Sequence, residues 1–172
     1  MRKVEVVDYN PEWEALFQSE ATRLIEIFGE QLVAIHHIGS TSVPGLAAKP
    51  IIDIMPVVKN IDHVDERNEK MVAIGYEPKG ENGIAGRRYF QKGGDNRTHH
   101  VHIFYEGSED IVRHLAFRDY VRTSPEIKQE YGDLKKHLAA KYTNDIAAYI
   151  AGKNQLVKQI EAQALRWYGS DR

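Results

Sequence analysis

The run Ile51-Ile52-Asp53-Ile54-Met55-Pro56-Val57-Val58 constrains the fold more than any other stretch, because it is apolar on both faces apart from one aspartate. A strand of that kind is covered on both sides, so it reads as central in a sheet with a layer over each face. Residues alternate along a strand, so Ile51, Asp53, Met55 and Val57 share one face. An unpaired carboxylate in such surroundings is costly, so Asp53 reads as partnered or as serving a site. Pro56 has no N–H to donate, and the ladder on one side of the strand is expected to weaken there.

The segment that leads into this strand is His37-Ile38-Gly39-Ser40-Thr41-Ser42-Val43-Pro44-Gly45-Leu46-Ala47-Ala48-Lys49-Pro50. It joins an apolar strand, Leu32 to Ile38, to the central one through a Gly-Ser turn with three hydroxyls and a Lys-Pro corner. Glycine lets the backbone approach an anion closely, and exposed N–H groups and hydroxyls then bind phosphate oxygens. Gly39, Ser40, Thr41, Ser42 and Lys49 are therefore candidate substrate-binding residues. Taken alone, the same turn fits an ordinary Gly/Ser/Pro loop. Asp53 reads as a divalent-metal ligand, since Mg²⁺ is often held by one or two carboxylates plus substrate phosphates. A structural aspartate that accepts hydrogen bonds from the turn or pairs with an arginine is the plain alternative.

The remaining elements follow from periodicity and end signals. Val4 to Val7 reads as a short strand. Asn10-Pro11 opens a helix whose apolar face is Trp13, Leu16, Phe17, Leu24, Ile27 and Phe28, and Gly29 stops it. Asp62 is expected to cap a helix that runs to Ile74. Arg87 to Lys92 and Thr98 to Tyr105 flank Gly93-Gly94-Asp95-Asn96, a hairpin signal. Ser108 and Ser124-Pro125 open helices, and Thr143 is expected to cap the last one, which reaches about Trp167 with Gly152 as a break. The order predicts an α+β fold, a mixed sheet flanked by helices, in a single domain over 1–172. About 1–107 form the sheet-containing core and about 108–172 the helical part.

Three of the eight histidines fall together at His99, His100 and His102. Alternation puts His100 and His102 on one strand face, where two imidazoles can share a metal or reach one phosphate. The alternative is a partly polar sheet face. His114, Arg118 and Arg122 recur at four-residue spacing on one helix face, a stripe that suits phosphate or, equally, solvent and local ion pairs. Lys49, Arg87 and Arg88 carry the same ambiguity. Of His36 and His37, one is expected to point inward.

Composition limits the function classes. With 42% hydrophobic and 28% charged residues the chain reads as globular, and a net charge of −2 gives no global attraction to nucleic acid. Cysteine is absent, which removes disulfides, thiolate chemistry and cysteine zinc sites and fits a reducing cytoplasm. No run approaches the ~18 apolar residues of a membrane helix. The first residues lack the apolar core of a secretory signal. No Walker motif, dinucleotide fingerprint or nucleophile elbow is present.

The run His37 to Ile54 closely resembles the signature of the GrpB-like family, uncharacterised protein family 0157. The likeness continues in Tyr9-Asn10-Pro11-Glu12-Trp13, His100-Val101-His102, Phe117-Arg118-Asp119-Tyr120-Val121-Arg122 and Tyr131-Gly132-Asp133-Leu134-Lys135, and so spans the chain. The family is placed in the nucleotidyltransferase superfamily, which implies a mixed sheet flanked by helices. A similar domain is fused to dephospho-CoA kinase in some bacteria, which implies a nucleotide or coenzyme context. In the superfamily pattern a Gly-Ser turn is followed by two alternate carboxylates on the next strand and a third on a later one. Gly39 and Ser40 match the turn and Asp53 the first carboxylate. Met55 stands at the second position, and the third falls near His100 and His102. The resemblance therefore implies Asp53 as the catalytic carboxylate and a divalent metal on Asp53, His100 and His102. On the enzymatic reading Arg118 and Arg122 anchor a remote phosphate, and the partner is a nucleotide or phosphorylated small molecule. One aspartate and two histidines do not reproduce the charge that holds two Mg²⁺ ions, and imidazole better suits one transition ion such as zinc, manganese or iron. Metal-assisted nucleotidyl or phosphoryl transfer, a non-catalytic nucleotide or phosphometabolite binding module, and a protein-interaction domain stay open at this point.

Overall fold

In the computed structural model, which describes residues 2–170, the apolar run forms β2 (Ile52–Val58), buried at every position but Asp53. It pairs antiparallel with β1 (Leu32–Ile38) and parallel with β5 (His99–Tyr105). β5 pairs antiparallel with β4 (Arg88–Lys92), and β4 with β3 (Tyr76–Pro78). The five-stranded mixed sheet thus has the order β1-β2-β5-β4-β3. β1 stays paired with β2 through Met55 and Pro56. On the other side, β5 pairs with Ile52 to Ile54 and again with Val57 and Val58, and with nothing between. The missing N–H of Pro56 falls in that gap.

Alternation sorts the two faces. Ile52, Ile54, Phe90, Val101 and Ile103 pack with Trp13, Phe17, Leu24 and Phe28 of α1 (Glu12–Phe28) and with Met71 of α2 (Asn68–Ala73). Met55 and Phe104 lie on the opposite face with Ile38, against Ile111 and Leu115 of α3 (Glu109–Thr123). α4 (Pro125–Lys141) and α5 (Ile146–Ser170) complete the helical layer. Val121, Tyr131 and Ile160 of these helices bury Val43 and Leu46 of the β1–β2 connection. The helices therefore dock onto the segment that carries the Gly-Ser turn. No described helix is long and apolar enough to cross a membrane.

Side-chain caps explain most helix starts. Asn10 Oδ1 accepts from the Glu12 N–H at 2.9 Å, Ser108 Oγ from Asp110 and Ser124 Oγ from Ile127, with Pro125 at the first helical turn. Several expectations are corrected. Val4 to Val7 contributes one bridge, Val7 to Ala48, and no strand. The cap expected at Asp62 is Asn60, whose Oδ1 accepts from the Asp62 N–H, and Ile61–Arg67 is a 3₁₀ segment that leaves only six residues to α2. Thr143 donates back to the Ala139 carbonyl at 2.9 Å, and Asp145 accepts from Ala148 at the start of α5. α5 runs through Gly152 unbroken. A Cβ there would stand 2.6 Å from Leu138 Cδ2, so glycine lets α4 and α5 approach.

Candidate functional site

β1 delivers its C-terminal end to Gly39, whose backbone (φ 72°, ψ −173°) is a conformation open essentially to glycine. A Cβ at Gly39 would stand 2.6 Å from Asp53 Oδ2, so the turn rests directly on the Asp53 carboxylate. Ser40–Ser42 then form one 3₁₀ turn. Its hydroxyls are used unequally. Thr41 Oγ1 donates to the Ile51 carbonyl at 3.2 Å and meets His37 Nε2 at 3.0 Å, and Ser42 Oγ donates to the Gly39 carbonyl at 2.5 Å. Ser40 Oγ instead accepts from Lys135 Nζ at 2.9 Å. Of the histidine pair, His37 is the inward member. It is buried and stacked on Phe17 with ring centroids 4.8 Å apart.

Arg118 and Arg122 turn out to hold the backbone of this region. Arg118 Nη1 donates to the His37 carbonyl at 3.2 Å, and Arg122 donates through Nε and Nη2 to the Ser42 carbonyl at 3.1 and 2.9 Å. Asp119 accepts from Arg118 Nε at 2.8 Å and lies 3.7 Å from Arg122. Neither arginine lines the cavities beside Asp53. Their geometry pins α3 to the turn, and a charge-assisted fork onto one carbonyl is replaced by nothing in Arg122→Ala. That substitution is expected to lower stability by about 1.5–3 kcal/mol, which urea unfolding would read as a lower midpoint at unchanged slope.

The centre of the site is Asp53. His102 Nε2 lies 3.0 Å and His100 Nδ1 3.4 Å from its Oδ1, and donor atoms of the three residues fall within 4.8 Å of one another. The parallel register places His100 directly beside Asp53. Burial by itself would raise the Asp53 carboxyl, but the hydrogen bonds and charge of His100 and His102 prevail and hold it below the usual carboxylate range. Arg87 Nη1 lies 3.5 Å from His102 Nδ1. An ionised carboxylate only accepts, so the 3.0 Å contact puts a proton on His102 Nε2, toward Asp53. Met55, two residues beyond Asp53 on β2, is fully buried among Ile38 and Phe104. The donor set of one carboxylate and two imidazoles fits one transition ion and does not fit a pair of Mg²⁺ ions.

Two cavities flank Asp53. One, of ≈ 200 Å³, is lined by Ser40, Thr41, Lys49, Asp53, His100, Lys135, Tyr149 and Lys153. The other, of ≈ 250 Å³, shares Ser40, Asp53 and Lys153 and adds Gly39, Arg113, His114, Phe117, Tyr131, Val157 and Glu161, the last 3.6 Å from Arg113. Of the residues singled out in the sequence, Gly39, Ser40, Thr41, Lys49, Asp53 and His100 line these spaces. His102 reaches Asp53 from the side, and Ser42 lines neither. Sequence reasoning assigned no role to Lys135, Tyr149 or Lys153. The available signal was a tyrosine four residues before each lysine, Tyr131 to Lys135 and Tyr149 to Lys153, the spacing of helix-face neighbours. Lys135 Nζ stands 4.3 Å from the centroid of the Tyr131 ring, and Lys49 and Lys153 stand 5.2 and 5.5 Å from that of Tyr149.

Residues 3–163 match the family model described as GrpB protein. The chain is 55% identical over 166 residues to the UPF0157 protein YqkA of Bacillus subtilis, covering 96% of this chain and 48% of that one. It thus spans about half the length of that relative. A similar half-length match, 27% identical over 97% of this chain and 47% of the relative, is to a dephospho-CoA kinase of Mycolicibacterium paratuberculosis. The crystal structure of the conserved protein GrpB from Enterococcus faecalis superposes with a TM-score of 0.94 at 46% identity, over 96% of this chain and 100% of that one. The Cid1 poly(U) polymerase superposes with a TM-score of 0.52 at 16% identity, over 77% of this chain and 42% of that one, a likeness of fold alone. Turn, sheet order and sequence agree, and the chain belongs to the GrpB family, carried on a nucleotidyltransferase-like fold.

Proposed function

We propose that this protein binds a phosphorylated small molecule, a nucleotide in the first instance, at the Asp53 cavity together with one divalent ion on Asp53, His100 and His102. In this reading the bound pair serves nucleotidyl or phosphoryl transfer. The observation that carries it is the convergence of those three residues, Ser40 of the Gly-Ser turn and Lys49 on one cavity. The turn and Ser40 receive phosphate oxygens, Lys49 supplies positive charge, and Asp53 positions the turn through its contact with Gly39. An ion in this set supplies Lewis-acid neutralisation of phosphate charge. The likeness to Cid1, one of whose structures holds a UTP analogue, supports the nucleotide, and the match to a dephospho-CoA kinase supports a nucleotide or coenzyme setting.

A second reading, a non-catalytic nucleotide or phosphometabolite binding module, is favoured by two particulars. Met55 leaves a second ion without a carboxylate, and the His102 proton sits on the nitrogen that faces Asp53, where an arriving ion must displace it. Thermal unfolding in a panel of nucleotides and coenzyme A precursors, with and without Mg²⁺, Mn²⁺ and Zn²⁺, separates the readings. Ion-dependent stabilisation with multiple turnover is the expected result. Stabilisation with no turnover under any ion selects the binding module, and no stabilisation by any phosphate compound sinks both.

A further inference from the structure

The cavity beside Asp53 encloses a lysine that no group of the described chain neutralises. Lys135 is 2% exposed, and its amine meets only the Ser40 hydroxyl and the Tyr131 ring. Lys49 and Lys153 line the same space, their amines 5.2 and 5.5 Å from the centroid of the Tyr149 ring. Tyr149 is itself fully buried, and neither its hydroxyl nor His100 Nε2 has a hydrogen-bond partner. The one carboxylate lining this cavity, Asp53, is already bonded to His102. A buried ammonium without a counter-ion is expensive. Here it is joined by two more cations and by the Tyr149 hydroxyl, all wanting an acceptor that the fold does not supply.

We infer that Lys49, Lys135 and Lys153, with Tyr149 and Ser40, form a subsite for a chain of two or more linked phosphates, so that the ligand is a di- or triphosphate and not a monophosphate. The three lysines come from three elements, the loop before β2, α4 and α5, and stand over two different rings, a spread that suits a chain of phosphates better than one. The ≈ 200 Å³ cavity is smaller than the roughly 300–1,000 Å³ that enclose a whole drug-sized ligand. It takes the phosphate end and leaves the remainder to the adjoining cavity, where Phe117 offers a flat apolar wall. The inference rests on the proposed nucleotide reading only for what the phosphates are attached to.

Proton uptake accompanies binding. The Lys135 amine faces Ser40, Tyr131, Lys49 and Lys153, with no carboxylate among them. Burial, then the charges of Lys153 and Lys49, hold it well below the ordinary lysine range, and burial with Lys153, Arg2 and Arg97, against the opposing pull of Asp53, brings Lys49 down to about 8. Phosphate oxygens raise both amines again, so affinity falls as pH rises through 8 and above.

The test is calorimetric titration of the protein with tripolyphosphate, pyrophosphate and orthophosphate, in EDTA at pH 8, in two buffers of different ionisation enthalpy. Tripolyphosphate is expected to bind at least about 10- to 100-fold tighter than orthophosphate, with a heat that differs between buffers in the sense of proton uptake. Lys135→Met is expected to weaken tripolyphosphate by about 10- to 100-fold while the ligand-free melting temperature holds or rises, because an apolar group in place of an unpaired buried charge is neutral or stabilising. Lys153→Met, at a half-buried position, gives the same weakening if the first variant does not fold. Equal affinity for orthophosphate and tripolyphosphate, or a lower melting temperature with unchanged affinity in Lys135→Met, overturns the subsite. Nucleotide binding that needs an ion, with no affinity for tripolyphosphate, refutes the subsite and leaves the Asp53 reading standing. Tripolyphosphate binding without any nucleotide binding does the reverse.

Discussion

Asp53→Asn is expected to keep the fold and to weaken ion-dependent nucleotide binding by about 100-fold or more. Asparagine has the same shape, and its Oδ1 still accepts the His102 N–H that now lies 3.0 Å from the carboxylate. What it removes is the only anionic donor in the cluster. Outer partners of metal ligands are worth roughly 10- to 100-fold in metal affinity, so a direct carboxylate ligand is worth at least the upper figure. Ligand at a hundred times its dissociation constant stabilises by about 2.7 kcal/mol, a rise of roughly 5–11 °C for a chain of this size. A hundredfold loss leaves about 0.4 kcal/mol, near 1–2 °C. A variant that retains the full ion-dependent shift would remove Asp53 from the ion site. A variant that melts far below the parent without ligand would make the residue structural.

Gly39→Ala is expected to cost about 3 kcal/mol, or roughly 6–12 °C in melting temperature. Two effects combine. The backbone at Gly39 lies where a Cβ is strained, which costs of order 1–3 kcal/mol, and that Cβ would press on Asp53 Oδ2 at 2.6 Å. Gly45 separates them. It too has a positive φ, of 86°, but nothing lies within 4 Å of the Cβ position. Gly45→Ala therefore carries backbone strain without the contact, and the difference between the variants measures how tightly the turn rests on the aspartate. Equal losses at both positions would show that the approach to Asp53 contributes nothing. Ion-dependent binding is expected to fail in the Gly39 variant and to persist in the Gly45 variant.

The central strand was legible because a run apolar on both faces has few other places to go, and the gap beside Pro56 follows from the chemistry of proline. The β4–β5 hairpin and the caps at Asn10, Ser108 and Ser124 were legible because each is a local signal, complete within a few residues. β3 was not, since Tyr76-Glu77-Pro78 is too short to show a period. Asn60 and Asp62 are both good caps, and only the folded backbone distinguishes them. In the site, Asp53, His100 and His102 could be placed on the right faces by counting. Arg118 and Arg122 lie on one helix face as expected, yet what that face meets is the backbone of His37 and Ser42. Lys135 and Lys153 lie 18 residues apart on different helices, and their meeting with Lys49 depends on how α4 and α5 dock, which no local pattern encodes.

That docking would give a ligand bound there a mechanical role. Asp53 and His100 reach the cavity from the sheet, while Lys135 and Lys153 reach it from the helical layer. A molecule held by both sides is a strut across the seam between them. Opening the seam then requires releasing the strut, so amide hydrogens of β2, β5 and α4 would slow their exchange together when it is in place, as parts of one cooperative unit. Without it, Lys49 and Lys153 hold the Lys135 amine short of its proton across the same seam, and the ligand-free protein would be the looser of the two forms.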